Sequence, residues 1–513
     1  MAAFALPRGL SGPTFPAFSP PRPATLGLLQ HVESVQTARE ALGRLQRDAA
    51  SAGFRHPLHW ARPARPSQQS QGALWRRNPR SRAPAAVAEA QEETQQLGTV
   101  PVMGVNLMKN IIGATVLSLA SGVAACSDLP GAVAPGCFLV VLCGAALGYT
   151  FALVARNCEL LGVRSYRESW EKTLGPKTAW LVSICSLIMA GSGCLQYIMV
   201  LSEAGSSLAA LAGLPSLLAT RSGAMLAIVG TILLPMSFLD NLNQLKFTSV
   251  AGIFGVFYYV FAMFWRYITG AYAPGGQFYK LLLPAVQPSF SVTGGSMLSP
   301  PVLTLLGMLT SAYICHYNAP KYYQELKDRS MRRFYLTVLL GFGGSTLIYL
   351  VGFTSSFLTF GGHSSSFIFN NYASTDGLFV AARAIMSFVI ICTYPLLFVG
   401  LCQGALELLP GGPGVGAEAQ KRKRNMTFGL VAGLTAMALS TKDIGLVIAL
   451  PGAVTGSMLA YVFPALIHLK ATAAEAAKAP RLGLRLQRSL SRVLVLLGCA
   501  TAVLGAASAL KVF

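Results

Sequence analysis

Charge is scarce in this chain, and acid is scarcer than base. Only 12% of its 513 residues are charged, with 19 Asp plus Glu against 40 Lys plus Arg. A soluble globular domain carries about 25%. That deficit, beside 53% hydrophobic residues and a mean hydropathy of +0.53, excludes a soluble protein and points to a polytopic membrane protein. Histidine is rare too. There are six, and they form no His/Asp/Glu cluster of the kind a metal-dependent enzyme needs. His56 and His59 lie close together, but in an Arg- and Pro-rich stretch that offers no other ligand. The ten cysteines form no CxxC, and most sit inside apolar runs. They read as small buried hydrophobes rather than a disulfide framework or a zinc site. No Walker motif is present, so any transport draws on an ion gradient and not on ATP. The formal net charge of +21 raises nucleic acid as a partner, but the way the excess is distributed excludes it.

Residues 1–100 differ from the rest. Up to Ala85 there are twelve Arg, no Lys and three acids among many Pro, Ser and Ala. Such a segment cannot bury enough apolar area to offset its ordering entropy, and a disordered tail is expected. It suits either an organelle-targeting segment, Arg-rich and acid-poor, or a cytosolic regulatory tail. Residues 31–50 suit a short amphipathic helix. Residues 101–513 form the transmembrane domain. Counting apolar runs against a hydrocarbon core of about 30 Å gives eleven spans, near 104–126, 133–155, 178–204, 222–239, 247–268, 301–318, 334–360, 377–406, 425–440, 443–469 and 490–511. With the N-terminus in the cytosol, the inside loops 156–177, 240–246, 319–333, 407–424 and 470–492 hold twenty-one Lys plus Arg, and the outside segments hold five. The positive-inside rule produces this asymmetry. It accounts for the net charge without nucleic acid and puts the C-terminus outside. The sequon Asn425-Met426-Thr427 then falls inside and is silent.

The stretch Asn106–Cys126 is long enough to span but is not a plain apolar run. Lys109, Asn110 and Thr115 sit in it around Gly113 and Ala114. A helix that unwinds at membrane depth exposes N–H and C=O groups, tolerated only where they line a cavity or are buried in protein. The stretch reads either as a span that breaks near Gly113 to hold a small polar solute or ion, or as a packing notch for a neighbouring helix. Span 6 has Gly307, Thr310 and Ser311 at a similar depth. Spans 1–5 and 6–10 can be laid over one another, and paired interrupted helices in two halves point to a transporter site at the bilayer midplane.

Other residues carry the reading further. Cys315–Arg333 reads CHYNAPKYYQELKDRSMRR, and the following span ends in LTFGG at Leu358–Gly362. NLMKNIIGATVLSLA opens span 1, Asp443-Ile444 opens span 10, and Gly452, Gly456 and Pro464 lie along it. Over about residues 102–470 this pattern resembles the amino acid/auxin permease family, and within it the sodium-coupled neutral amino acid transporters and vacuolar plant relatives. The resemblance implies an all-α, LeuT-like five-plus-five inverted repeat with discontinuous helices 1 and 6. It implies symport of an amino acid with Na⁺ or H⁺. The positions matching the family's cation-linked Asn and Thr are Asn110 and Thr393, and an amide and a hydroxyl are the oxygen ligands a hard cation wants. The substrate carboxylate is expected at Gly113, Ala114 and Thr115, where a half-helix begins. The amine is expected near Thr310 and Ser311, with Gln196 and Tyr197 of span 3 candidates to line the cavity. The sequence departs from the family where Gly113-Ala114-Thr115 lacks a second Gly, where Lys321 replaces the usual Ile, and in a short loop 361–376.

Several ionisable residues have a plain reading. Arg383 and Lys109 lie near span ends and can snorkel, Glu203 meets water, and His316 and His363 face loops or sense pH. Lys421–Arg424 marks topology. The expected protein is an eleven-span secondary transporter, not an enzyme, with no cofactor beyond a coupling Na⁺ and with lipids around it. A monomer suffices. Its membrane is the plasma membrane, a vacuole- or lysosome-like membrane, or an organelle envelope. A transceptor that senses an amino acid and signals through its tail is the alternative.

Overall fold

A computed structural model describes residues 97–239, 248–291, 296–409, 416–478 and 482–512. The expected tail, the amphipathic helix at 31–50 and the His56/His59 pair lie outside the described residues. Every predicted span is helical, as it must be where no water satisfies the backbone. Among the described residues no named strand occurs, only two isolated bridges, Gly98 to Leu326 and Ser289 to Gly361.

Span 1 comprises α1 (Val100–Ile111) and α2 (Leu119–Ala124), joined by a tight turn over Ala114–Ser118. Span 2 is α3 (Val133–Leu161), followed by a short surface helix, α4 (Tyr166–Leu174). Span 3 is α5 (Trp180–Leu211), span 4 is α6 (Arg221–Ile228) with its continuation to Met236, and span 5 is α7 (Thr248–Ile268). Span 6 is α8 (Pro301–Tyr313) and then α9 (Ala319–Gln324). Spans 7 to 9 are α10 (Met331–Phe360), α11 (Gly377–Leu408) and α12 (Ala417–Ser440). Span 10 is α13 (Ile444–Pro451) and α14 (Phe463–Ala471), joined by two wide turns, and span 11 is α15 (Leu482–Ala509).

Among the described residues six helices are long and apolar enough to cross a membrane, and the bent pair in span 1 makes seven. The other four predicted spans are helices that fall short for visible reasons. Arg221–Met236 and Gly252–Ile268 are short apolar stretches, and α8 stops after 13 residues at a break. α12 begins at Ala417, so Lys421–Arg424 stand on its first turns and not on the loop the sequence suggests. The caps are legible in the sequence. Ser165, Thr220, Ser330, Asp376 and Asp443 each accept a backbone N–H at the start of a helix, which supplies part of what helix ends lack.

Neighbour relations repeat between the two halves. Span 2 packs on span 7 and span 3 on span 8. Span 5 lies against spans 7 and 8 as span 10 lies against spans 2 and 3. Span 3 adjoins spans 4 and 9 as span 8 adjoins spans 9 and 4. An odd number of spans per half starts the second half on the opposite side of the membrane. The repeat is therefore inverted, with its pseudo-axis in the membrane plane.

Two contacts lock this frame. Where α8 crosses span 10, backbone meets backbone: a Cβ on Gly307 would stand 2.6 Å from the Ala449 carbonyl oxygen, and one on Gly452 would collide with the Gly307 carbonyl. Small residues permit such close approach. At the end of the bundle away from the basic loops, Asp376 is fully buried and accepts from Arg266 Nε (2.9 Å) and Nη2 (2.6 Å) and from the Tyr272 hydroxyl (2.8 Å). Arg266 also lies over the Phe278 ring, 4.9 Å from its centroid.

Gly307→Ala is expected to destabilise the protein by about 1–3 kcal/mol or more, since the obstacle is backbone and cannot rotate away. Gly433→Ala, where a Cβ meets nothing within 4 Å, leaves the melting temperature unchanged. Asp376→Ala strands Arg266 and is expected to cost about 3–5 kcal/mol. Removing the exposed Arg167–Glu171 pair has no measurable effect. Thermal unfolding of the detergent-purified variants checks both contrasts.

Candidate functional site at two helix breaks

Span 1 breaks where its sequence suggests. α1 ends at Ile111, Ile112 is extended (φ −76°, ψ 109°), and Gly113 is also extended (φ −123°, ψ −163°). The halves are bent by 45°. Any residue can adopt the Gly113 dihedrals, so strain does not call for glycine. What distinguishes the position is room, because a Cβ there would meet nothing within 4 Å. Ala114 and Thr115 are buried and open the tight turn, and no side chain caps its N-terminus. Their N–H groups lead the half-helix and carry its positive end.

Span 6 breaks later than expected. α8 runs unbroken through Gly307, Thr310 and Ser311 and leaves the helix at Ile314 (φ −72°, ψ 116°) and Cys315 (φ −149°, ψ 16°). Thr310 is 2% exposed, and its hydroxyl donates to Leu306 O at 2.9 Å. Ser311 is half-buried. Both therefore sit on the last turn before the break, and Gly307 serves packing. Neither Gly nor Pro marks Ile314–Cys315, which is why the sequence places the interruption too early.

The two breaks meet on one side chain. Tyr349, fully buried in α10, places its hydroxyl 2.9 Å from Ile111 O and 2.8 Å from Ala312 O. Its ring sits edge-on to Tyr313, with centroids 5.0 Å apart. Tyr313 in turn reaches Thr346 Oγ1 at 2.9 Å and Val140 O at 3.2 Å. Sequence reasoning missed Tyr349. The available signal was a lone phenol in the apolar run STLIYLVG, since a buried Tyr O–H needs an acceptor and broken helices supply two.

Asn110 is exposed on the last turn of α1, on a face that includes Val102 and Asn106. Thr393 is half-buried, and its hydroxyl donates to Val389 O of its own helix at 2.7 Å. No hydrogen bond joins Asn110 to Thr393. Span 5 lies between their neighbours: a Cβ on Gly252 would stand 3.5 Å from Val389 Cγ1 and 3.8 Å from Lys109 Cε. Gln196 is buried with its Nε2 unpartnered, and Tyr197 is half-buried beside it.

The ionisable residues differ from their plain readings. Arg383 does not snorkel. It is 3% exposed and donates to Phe369 O (2.6 Å) and Tyr372 O (2.9 Å) of loop 361–376. Glu203 pairs with Arg221 at 2.9 Å and accepts from Asn370 Nδ2 at 3.2 Å. His316 does not face a loop. It is fully buried, with Nε2 2.9 Å from Thr150 Oγ1. Lys109 is half-buried, and His363 Nδ1 lies 2.8 Å from Gln287 O. The arginines opposite the basic loops are thus held by acids or carbonyls, and their departure from the charge asymmetry is structural.

Residues 98–510 match the family model described as transmembrane amino acid transporter protein. The chain is 24% identical over 384 residues to amino acid transporter AVT6E of Arabidopsis thaliana, covering 71% of this chain and 74% of that one. It is 23% identical over 372 residues to a putative sodium-coupled neutral amino acid transporter 11 of Danio rerio, covering 71% and 77%. Vacuolar amino acid transporter 2 of Saccharomyces cerevisiae is 20% identical over 406 residues, covering 75% and 79%. Among solved structures, a Na⁺-coupled sialic acid symporter in a substrate-bound outward-open state aligns with a TM-score of 0.46 at 12% identity, over 82% of this chain and 93% of that one. With a family match over most of its length and two interrupted spans at its centre, this chain is a multi-pass membrane protein and belongs to the transmembrane amino acid transporter family.

Proposed function

We propose that the protein moves an amino acid across its membrane by alternating access, coupled to Na⁺ or H⁺, with the substrate held between the breaks of spans 1 and 6. The observation that carries this reading is the convergence of the two interrupted helices on Tyr349 inside a chain of this family. The N–H groups of Gly113, Ala114 and Thr115 suit a carboxylate, because a helix N-terminus favours negative charge. The carbonyls at the end of α8, beside Thr310 and Ser311, suit an ammonium. Asn110 and Thr393 supply an amide and a hydroxyl oxygen for the coupling cation. In that role a lone pair of the Thr393 oxygen faces the ion while its O–H still donates to Val389 O.

The two ends of the bundle differ in a way that suits a gated pathway. At the end away from the basic loops, Ser118 Oγ donates to Ser366 O, and Arg383 and Glu203 hold the same loop. At the basic end α1 presents Asn106 and Asn110 on an exposed face that leads to Gly113. Two amides directed at lipid would be costly, so this face suits a watery approach to the site. With the basic loops in the cytosol, this reading makes the protein a carrier closed outside and open inside.

Reconstituted protein is expected to accumulate at least one labelled amino acid from a panel when a Na⁺ or pH gradient is imposed across proteoliposomes. Failure of every amino acid under both gradients would contradict the proposal. Gly113→Leu fills the open space beside the break, and its uptake is expected to fall below one-tenth of wild type with membrane insertion and melting temperature retained. Normal uptake by that variant removes the site from span 1.

A further inference from the structure

We infer that Tyr349 is the positioning residue of the transport site: its one hydroxyl proton, shared between Ile111 O and Ala312 O, sets the spacing of the two helix breaks. The inference rests on the transport reading above. Three observations carry it. First, the two carbonyls lie close to the two breaks, and both are within hydrogen-bond distance of the same oxygen. Second, α10 runs as a splint along both halves of span 1. A Cβ on Gly341 would press on Leu107, one on Gly344 would meet Met108 Sδ at 2.7 Å, and one on Gly352 would meet Val116 Cγ2 at 3.0 Å. Ser345 Oγ donates to Gly341 O at 2.8 Å and lies 3.5 Å from Met108 O. Small residues let α10 approach on both sides of the break, and Tyr349 stands between them at its level. Third, Tyr349 is fully buried, so water does not take over its role.

A phenol has one proton. It can serve two carbonyls while they stay together, but only one if spans 1 and 6 separate. The bond therefore favours the arrangement in which both breaks face a single substrate, and its contribution appears in substrate affinity. A merely structural tyrosine would act on folding and leave affinity untouched.

Tyr349→Phe tests this in proteoliposomes, using whichever of labelled L-alanine, L-glutamine, L-leucine and L-histidine wild type takes up fastest. The half-saturating concentration is expected to rise about tenfold, equivalent to about 1.4 kcal/mol. The maximal rate per folded transporter is expected to stay within about twofold of wild type, since saturating substrate restores the spacing. Thr337→Val removes a hydroxyl from the same helix that donates to Arg333 O of that helix, away from both broken ends. It is expected to leave the half-saturating concentration unchanged. An unchanged value in Tyr349→Phe, or an equal rise in Thr337→Val, overturns the inference. Should Tyr349→Phe not fold, 3,5-difluorotyrosine in place of Tyr349 carries the test. As a stronger donor it is expected to lower the half-saturating concentration, and no change overturns the inference. If wild type takes up none of the labelled amino acids, the transport reading fails instead.

Discussion

A carbonyl released from its helix in the middle of a bilayer has no water to turn to, and an unmet one costs several kcal/mol. Two spans of this protein accept that risk near their midpoints. At one carbonyl of each break the cost is met by a phenol from a third helix, which reaches Ile111 O and Ala312 O at once. Close packing surrounds that phenol. α10 is glycine-rich where it passes α1, Tyr313 braces the Tyr349 ring, and Gly307 lets α8 lie directly on span 10.

The same logic explains the charges buried at the end opposite the basic loops. Asp376, Arg266, Arg383, Glu203 and Arg221 are not arranged around the helix breaks. They tie loop 361–376 and the helix ends to one another. A charge in this setting is affordable only when paired or hydrogen-bonded, and these five are. The inverted repeat fits this division. Spans 3 and 8, and spans 2 and 7, pack across the pseudo-axis, while the broken spans 1 and 6 each lean on members of the opposite half.

Much of the fold was legible because its determinants are local or periodic. Long apolar runs required helices, Asp443 announced the start of span 10, and Gly113 beside Asn110 and Lys109 marked the first break. The second break was misplaced by about one turn, since Ile314 and Cys315 leave the helix without any breaker residue and tertiary contacts decide the point. Glu203, Arg383 and His316 were read as facing water or loops because their partners, Arg221, Phe369 O and Thr150, lie on other spans or in a distant loop. Tyr349 was missed for the same reason: a lone phenol in STLIYLVG signals that it needs an acceptor, but not which one. Its meaning lies in two backbone atoms, one 238 and one 37 residues away, and no side-chain pattern records them.

The most direct test is an experimental density map of the protein in a membrane mimetic with its transported amino acid present. The account predicts that span 1 is unwound at Ile112–Gly113 and span 6 at Ile314–Cys315. It predicts ligand density between them, its carboxylate end towards Gly113–Thr115, with Tyr349 in contact with at least one of the two carbonyls. Ligand density elsewhere in the bundle, or two unbroken helices at these positions, would contradict it.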